Sequence, residues 1–580
     1  MIDKMTKYSF ILLDTDKEQF LERLQELGVV DITRSSTPVD ENSLQLFERI
    51  AALKSEISKL EKGSDEHLQA LLTQRNALIQ ERDAVQVWGK FDAASIADLE
   101  GKGLRISFYC VPERKFDSAW ENEYPLQVIA NKEGSVYFTV VNAEGFPVKP
   151  IETPKRCFHC VEAEIKGLET EIERYREALK QRCSEIPSLK SQIAELSEGL
   201  DRYLAGAKGS SAADNHLCTF EGYAPCECDE KLKEALEDSP VYYFTQEARP
   251  EDNPPIKLRN NRFNALFEPI TRMYGMPGYD EFDPTPYLAI FFMLFFAICM
   301  GDAGYGLILI LFGIAEKKGW AKIDMFKGMG PLITVLGVAT TLIGVVLGSF
   351  FGVDLVAASW VPESLKCVMV KGEIAGYDAK MVLAVLIGVL HLCLAMVVKS
   401  IVYVKRYGFK ENISTLGWTL LIVGVVIVAG FALLNFVPVE IAKWLIIGIG
   451  GLSALGIFIF NKPGRNPLLN IGSGLWDTYQ MATGVLGDVL SYIRLYALGL
   501  AGGMLGAAFN NLASMVLGDN PSWQFVPFVV ILLIGHVLNL LMSCLGAFVH
   551  PLRLNFVEFF KNSGYEGKGL KYNPLKTIKQ

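Results

Sequence analysis

No GxxxxGKS or GxxxxGKT sequence occurs anywhere in the chain, so no P-loop nucleotide site is readable. A basic excess is missing too. The 56 Lys and Arg against 65 Asp and Glu leave a formal charge of −9, which gives no reason to expect a nucleic-acid partner. The opening MIDKMTKYSFILLDTDKEQF lacks a basic start, a long apolar core and a small-residue cleavage site, so it does not read as a signal peptide. Charge is scarce in one place. Half of the 580 residues are apolar and 21% are charged, but residues 1–284 are dense in Glu, Lys and Arg, whereas 285–560 hold few charges between long apolar runs. That split excludes a single globular domain and a wholly disordered chain. It predicts a cytosolic half followed by a multi-span membrane half.

In the first half, KYSFILL, TDKEQFLERLQELG and VVDIT read as strand, helix and strand, with Thr15 as N-cap and Gly28 as the helix stop. Leu46, Ile50, Leu53, Ile57 and Leu60 then recur at 4,3,4,3 spacing. After two strand-like stretches, LRISFYCV and SVYFTVV, the seven-residue pattern returns as Val161, Ile165, Leu168, Ile172, Tyr175 and Leu179. Beyond Pro187 it continues through Leu189, Ile193, Leu196, Leu200 and Tyr203. A seam this narrow suits a coiled coil. The strands between its halves predict an antiparallel arm over about 40–88 with 159–204, the second helix being about 69 Å long. Structure of α/β type resumes near 217–247. The expected organisation is a cytosolic domain over 1–265 with two α/β lobes, a linker over 266–285, a membrane domain over 286–560 and a cytosolic tail over 561–580. Cys157, Cys160, Cys226 and Cys228 could supply zinc ligands. Their spacing favours ordinary reduced cysteines, and no cofactor is expected.

Clear spans fall at 329–351, 380–402, 414–435, 440–460, 476–517 and 524–560, the last two long enough to require tilt or projection from the bilayer. The block 286–314 is too long for one span and short for two, and Gly301–Gly306 breaks it as a tight turn would. Counting it as a hairpin gives eight helices. It also puts Lys317, Lys318, Lys322, Lys327, Lys399, Lys405, Arg406, Lys410, Lys462, Arg465 and the lysines of the tail, Lys579 included, on the cytosolic side with both termini.

Ionised side chains are costly in the bilayer. Arg494 lies 18 residues after Trp476 and 16 before Asn510, too deep to snorkel to either flank. It must face water or a partner, of which Asp302 and Asp488 are the simplest within the chain. Gln480, Gly487, Ser491, Arg494 and Ala501 share one narrow helix face, with Asp477 and Asp488 about a quarter-turn away. In the last span His536, Asn539, Ser543, Gly546, His550 and Arg553 form a polar stripe, read either as glue between helices or as the lining of a path. His391 reads as a satisfied interior histidine. A guanidinium keeps its charge, so it can pair with a passing carboxylate and block direct leakage of cations.

These residues resemble the large membrane subunit of V-type and A-type rotary ATPases, subunit a or subunit I. The resemblance rests on NPPIKL (253–258), NRFNALFEPI (261–270), YGMPGYDEFDPTP (274–286), GDAGYG (301–306), GDVLSYIRLYALGLA (487–501) and VHPLRLNFVEFF (549–560). It implies a non-catalytic stator subunit with two half-channels for H⁺ or Na⁺, working against a proteolipid (c/K) ring. It also implies peripheral-stalk subunits bound through the N-terminal domain, a central-stalk or rotor-cap partner, and residence in a prokaryotic plasma membrane. Arg494 corresponds to the stator arginine and Arg553 to the second arginine. His550, Glu558, Asp302 and Asp488 match family polar positions. Gln480 and Ser543 stand where many or some relatives carry Glu, and Asp477 is expected to take over the relay. The alternatives are a secondary transporter, which should show an inverted repeat, and a membrane-anchored coiled-coil scaffold, which would not need two arginines in its spans.

Overall fold

The structure is a computed structural model. It describes residues 1–577 except 35–36, 63–65, 89–92, 118, 133, 143–145, 152–155, 157, 213–215, 238, 320–327, 360, 375, 434–435, 461–466 and 517–520. Cys157, Lys322, Lys327, Lys462, Arg465 and Lys579 therefore lie outside the described residues. Two units partition the chain: Met1–Ile11, Val29–Ile32 and Glu221–Pro574 make the larger, and Leu12–Gly28, Thr33–Phe220 and Leu575–Gln580 the smaller.

Alternation in MTKYSFILL makes strand β1 (Met5–Leu13), whose Tyr8 and Phe10 are fully buried. Helix α1 (Lys17–Leu27) ends where Gly28 takes a left-handed φ of 65° and donates its N–H to the Leu24 carbonyl. Its N-cap is Asp16. Thr15, expected there, instead sits inside a 3₁₀ turn over Asp14–Asp16 that adds a tighter first turn. Strand β2 is Asp31–Ile32.

In the smaller unit, α2 (Glu41–Lys62) and α3 (Glu66–Val85) pack against α4 (Phe158–Arg182) and α5 (Ile186–Lys208). Ile50 meets Leu200 and Leu204, Leu60 and Leu71 meet Ile172 and Leu179, and Leu78 meets Val161 and Ile165. Partners descend in number as α2 and α3 ascend, so the helices run antiparallel. Glu56–Arg182 and Glu61–Lys190 ion pairs edge the seam. A 3₁₀ turn over Cys183–Glu185 joins α4 to α5, and Pro187 falls in the first turn of α5, where its missing N–H has no helical partner to lose. Strands β3 (Ile106–Pro112), β4 (Leu126–Lys132) and β5 (Ser135–Val141) form an antiparallel sheet in the order β3-β5-β4, cored by Tyr109, Phe138 and Val140.

Strands β6 (Ser210–Ala212), β7 (Leu217–Pro225) and β8 (Tyr242–Glu247) follow, with α6 (Asp229–Glu237) between the last two. In the larger unit the strand order is β2-β7-β1-β8, and Thr6 to Ile11 pair antiparallel with Glu247 to Tyr242.

The rest of the larger unit is almost entirely helical. Among the described residues, six helices are long and apolar enough to cross a membrane: Gly330–Leu347, Ala379–Tyr407, Lys410–Ala432, Val439–Ile459, Asn470–Val516 and Phe525–Ser563. The ambiguous block before them is two shorter helices, α7 (Thr285–Met300) and α8 (Ala303–Lys317). Only Gly301 and Asp302 of GDAGYG lie outside the helices, a tighter break than a six-residue turn. Gly301 ends α7 at φ 59°, and the Asp302 carboxylate caps α8 at once. Helix α9 (Gly330–Leu347) packs directly on α8. A Cβ on Gly306 would stand 2.5 Å from the Thr341 nitrogen, so these two backbones touch only because that position is bare.

Helices α10 (Ala379–Tyr407), α11 (Ile413–Leu433) and α12 (Val439–Ala454) lead to the two longest, α13 (Pro467–Val516) and α14 (Pro521–Arg553). At 50 residues α13 is about 75 Å long. After Arg553 the chain winds as a π-helix over Leu554–Phe559, a form that recurs at functional sites. Phe292, Phe295, Tyr305, Tyr492, Leu495 and Phe559 form the centre of the membrane-half core.

Candidate functional site

Helix α13 presents two faces. Tyr492, Leu495 and Gly499 face inward, and a Cβ on Gly499 would come within 2.8 Å of the Ile298 carbonyl oxygen. The face that carries Gln480, Gly487, Ser491, Arg494 and Ala501 lies to one side. Gln480, Gly487 and Ala501 are exposed on it, Ser491 and Arg494 half-buried, and beyond its own stretch of helix no described atom comes within 4 Å of a Cβ built on Gly487. The guanidinium of Arg494 therefore sits on a helix edge flanked by small residues, near the middle of α13. Its Nη1 is buried and has no hydrogen-bond partner, and no ion pair to Arg494 occurs among the described residues. His550 and Cys299 are its electrostatic neighbours.

Both acids that could have neutralised Arg494 are engaged elsewhere. Asp302 accepts five hydrogen bonds: from the N–H groups of Gly304 (2.8 Å), Tyr305 (3.3 Å), Phe351 (2.8 Å) and Gly352 (2.8 Å), and from the Ser349 hydroxyl (2.9 Å). It thereby ties the start of α8 to the 349–354 hairpin, where Phe351 is held at φ 48°, a left-handed conformation that is costly for a phenyl side chain. Asp488 accepts from Asn562 Nδ2 at 2.8 Å.

Beside Asp302 a hydrogen-bonded chain crosses from α8 to α14. Asn510 donates to the Phe351 carbonyl (2.7 Å), and its Oδ1 meets His536 Nε2 (3.0 Å). His536 Nδ1 lies 2.9 Å from the Tyr305 hydroxyl, and Asn539 Nδ2 donates to that hydroxyl (2.8 Å). Asn539 bonds the Gly502 carbonyl as well, and Ser543 donates to Asn539 Oδ1 at 3.3 Å. His536, Asn539 and Ser543 of the polar stripe are thus brought together. A cavity of about 320 Å³ opens next to this network, lined by Gly301, Ser349, Asp354, Lys380, Tyr496 and Gly503. At its wall the Tyr496 hydroxyl donates to Asp378 at 3.0 Å.

The other end of the helix pair is assembled differently. His550 lies in the field of both Arg494 and Arg553. Arg553 is exposed, Glu558 is buried in the π-helical segment, and Asn562 bridges Asp488 and the Glu558 carbonyl. Glu558 Oε2, His550 Nδ1 and Asn555 Oδ1 are buried without hydrogen-bond partners among the described residues. Asp477 is half-buried, Gln480 exposed.

Tyr305, Asn510, Asn562 and the Tyr496–Asp378 pair were not anticipated as site residues. Tyr305 belongs to GDAGYG and Asn562 follows Glu558 by one turn, so both had a local signal; Asn510 had none beyond being a polar residue in a long apolar helix. Among the described residues no group of three or more His, Cys, Asp and Glu could hold a metal ion. Cys160 and Cys226 are exposed and Cys228 half-buried.

The profile of the V-type ATPase 116kDa subunit family matches residues 141–364 and 479–577, more than half of the chain, and takes in both arginines and Asp302. The A-type ATP synthase subunit I of Methanocaldococcus jannaschii is 30% identical over 465 residues, covering 75% of this chain and 66% of the relative, so this chain spans just under two thirds of that protein. The V-type ATP synthase subunit I of Borreliella burgdorferi is 26% identical across 100% of both chains. The V-type ATP synthase subunit I 1 of Treponema pallidum is 27% identical over 87% of this chain and 84% of its own. Motif, membrane helices and matched segments agree, and the chain belongs to the V-type ATPase 116kDa subunit family.

Proposed function

We propose that this multi-pass membrane protein is the ion-conducting stator subunit of a V/A-type rotary ATPase, a non-catalytic component that works with the other subunits of the complex. The observation that carries this reading is Arg494: a permanent cation, half-buried midway along α13, without a hydrogen bond at Nη1 or an ion pair among the described residues, on a face of small residues. A buried donor left open costs about 1–3 kcal/mol within one chain. A moving carboxylate on a proteolipid (c/K) ring would remove that cost when it arrives and restore it when it leaves.

Two polar systems meet near this residue, which supports two half-channels. The cavity lined by the Asp302 donors Ser349 and Gly352, together with Asp302, His536 and Ser543, would lead from one side of the membrane. The set Asp477, Gln480, Asp488, Ser491 and Glu558 would lead from the other, with His550 and Arg553 between them. Ions, H⁺ or Na⁺, would enter one path, ride the ring and leave by the second, while Arg494 blocks direct passage.

Helices α7 and α8 complete an eight-helix domain in this reading. They are about 24 and 22 Å long, short of the ~30 Å hydrocarbon core, but Ile290 and Leu311 expose large apolar side chains on them. An even count would put both termini on one side of the membrane, which the basic loops would make the cytosol of a prokaryotic cell with the protein in its plasma membrane. The antiparallel helices of residues 40–88 and 159–204 would serve as a coiled-coil arm within a 1–265 domain that braces peripheral-stalk subunits and a rotor-cap subunit.

Copurification of the tagged chain from its native membrane tests the assignment. A proteolipid ring and an ATPase head should accompany it, and vesicles of that membrane should show ATP-driven ion uptake that Arg494→Gln abolishes. A chain that purifies alone and moves solute without ATP would be a secondary transporter instead. One that purifies alone and moves nothing would be a tether.

A further inference from the structure

We infer that Gly388, His391 and Tyr492 form a rotational stop that fixes the direction in which α13 points Arg494. The inference rests on the proposed role of Arg494 and adds positioning residues to it. Tyr492 is fully buried on α13, two residues before the arginine. Its ring lies over Gly388 of α10, so close that a Cβ there would stand 2.2 Å from the ring's Cγ. Its hydroxyl meets His391 Nδ1 at 3.0 Å, one helical turn further along α10.

His391 is itself immobilised. It is fully buried, stacked on Phe291 of α7 (centroids 4.2 Å apart) and on Phe559 of the π-helical segment (4.6 Å, planes within 5°), with the edge of Phe295 at 5.1 Å. Its Nε2 has no hydrogen-bond partner among the described residues. An imidazole that leaves one nitrogen unpaired inside an aromatic sandwich is not accounted for by hydrogen-bond satisfaction alone. Its position accounts for it: the ring connects α7, α10, α13 and the segment holding Glu558 at one point. Gly388 sets how closely Tyr492 can approach, and His391 sets the angle.

The lever is long. An arginine side chain places its guanidinium roughly 7–8 Å from the helix axis, so a turn of about 10° in α13 moves that group by more than 1 Å. Displacements of that size cost on the order of 100-fold where charges must meet in a fixed geometry. The stop therefore governs the encounter without touching the ion.

A cysteine pair reads the rotation independently of transport. Leu498 lies on the Arg494 face, and its Cδ2 is 3.9 Å from a Cβ built on Gly546 of α14. Leu498→Cys with Gly546→Cys, in a chain whose Cys299, Cys393 and Cys544 are replaced, should cross-link readily in assembled complex. Adding Gly388→Ala should slow cross-linking about 5-fold or more and lower ion uptake per ATP at least about 10-fold, with ATP hydrolysis retained. His391→Leu should do the same more weakly, and His391→Gln, which can still bond Tyr492, should restore both readings to within about twofold. Unchanged cross-linking in His391→Leu overturns the inference, as does lost uptake with unchanged cross-linking. If Gly388→Ala does not accumulate, the His391 variants decide alone. Normal pumping by Arg494→Gln would overturn the proposed function instead, and the cross-linking would still show whether the stop exists.

Discussion

At the Asp302 end of the two long helices one carboxylate satisfies five donors, and Tyr305, Asn510, His536 and Asn539 bond one another. Around Arg494 and Glu558 the chain buries a guanidinium nitrogen, an imidazole nitrogen, an amide oxygen and a carboxylate oxygen with no hydrogen-bond partner among the described residues. Both regions place costly polar groups in an apolar setting. In the first the cost is offset within the chain, so the polar groups act as mortar. In the second no partner among the described residues offsets it, which is why one is proposed on the ring. In the proposed reading the satisfied groups hold the wall of one half-channel, and the unmet groups face the ring and the other. That distinction predicts opposite phenotypes for substitutions at the two ends.

The largest effect belongs to Arg494. Arg494→Gln should leave the amount of assembled protein within about twofold of wild type and abolish ATP-driven ion uptake, a loss of about 1,000-fold or ~4 kcal/mol in coupled flux. Since no ion pair among the described residues is broken, its thermal midpoint should hold. A variant that misfolds would show that the arginine is mortar after all.

Asp302 should behave in reverse. Asp302→Ala strands four N–H groups, two of them buried, and removes the α8 cap, a cost of about 3 kcal/mol or more, read as lost assembly and a lowered thermal midpoint. Asp302→Asn keeps an accepting oxygen and should lose only about 1 kcal/mol. Whatever fraction of Asp302→Asn assembles should pump at nearly the wild-type rate per complex. A fully stable Asp302→Ala that cannot pump would erase the difference between the two ends.

How much of this was legible beforehand follows the same division. The 3.6-residue period put Arg494, Ser491 and Gly487 on one face, and hydropathy placed all six long spans within a few residues, because both signals are local. The seven-residue repeat likewise named Ile50, Ile172, Leu179 and Leu200, which do meet. What could not be read was which polar groups had found partners. His536 and His550 look alike in the stripe, yet one has two partners and the other an unpaired buried Nδ1. The difference is made by Tyr305 and Asn510, more than 200 and 26 residues away. Nor did His391 reveal the phenyl rings on its two faces, which come from α7 and the π-helical segment. Thr15 was misplaced by one residue because a capping motif does not announce a 3₁₀ turn.

Asp477 sharpens the comparison at the second end. It shares a stripe with Asp488 and stands one turn from the exposed amide of Gln480, which cannot ionise. If Asp477 supplies the relay there, Asp477→Asn should assemble normally and reduce uptake about 10-fold, or ~1.4 kcal/mol, with Gln480→Glu in the same chain recovering much of the loss. Unimpaired pumping by Asp477→Asn would remove it from the path.

The smallest effect comes from a control outside the membrane, where polar groups are paired and water is near. Lys7 of β1 reaches Asp252 at 3.1 Å and Glu221 at 3.3 Å. The Asp252 hydrogen bond holds the Lys7 ammonium above its ordinary value, and the same bond holds Asp252 below the usual carboxylate range. A depressed carboxylate contributes stability above its unfolded value and loses it as pH falls through the lowered one. A raised ammonium contributes fully below its unfolded value and loses it as pH rises through the raised one. The contribution is thus present from about pH 5 to 9 and fades below about pH 3. Lys7→Met should lower stability by about 0.5–1 kcal/mol across that window, seen as a slightly lower first transition in thermal unfolding, and the gap should close on acidification. A gap that widened in acid would mean that Lys7 acts through its aliphatic stem and not through its charge. Here satisfied polar groups yield little because solvent would satisfy them anyway; the five bonds to Asp302 matter more because an unmade bond costs more in an apolar setting.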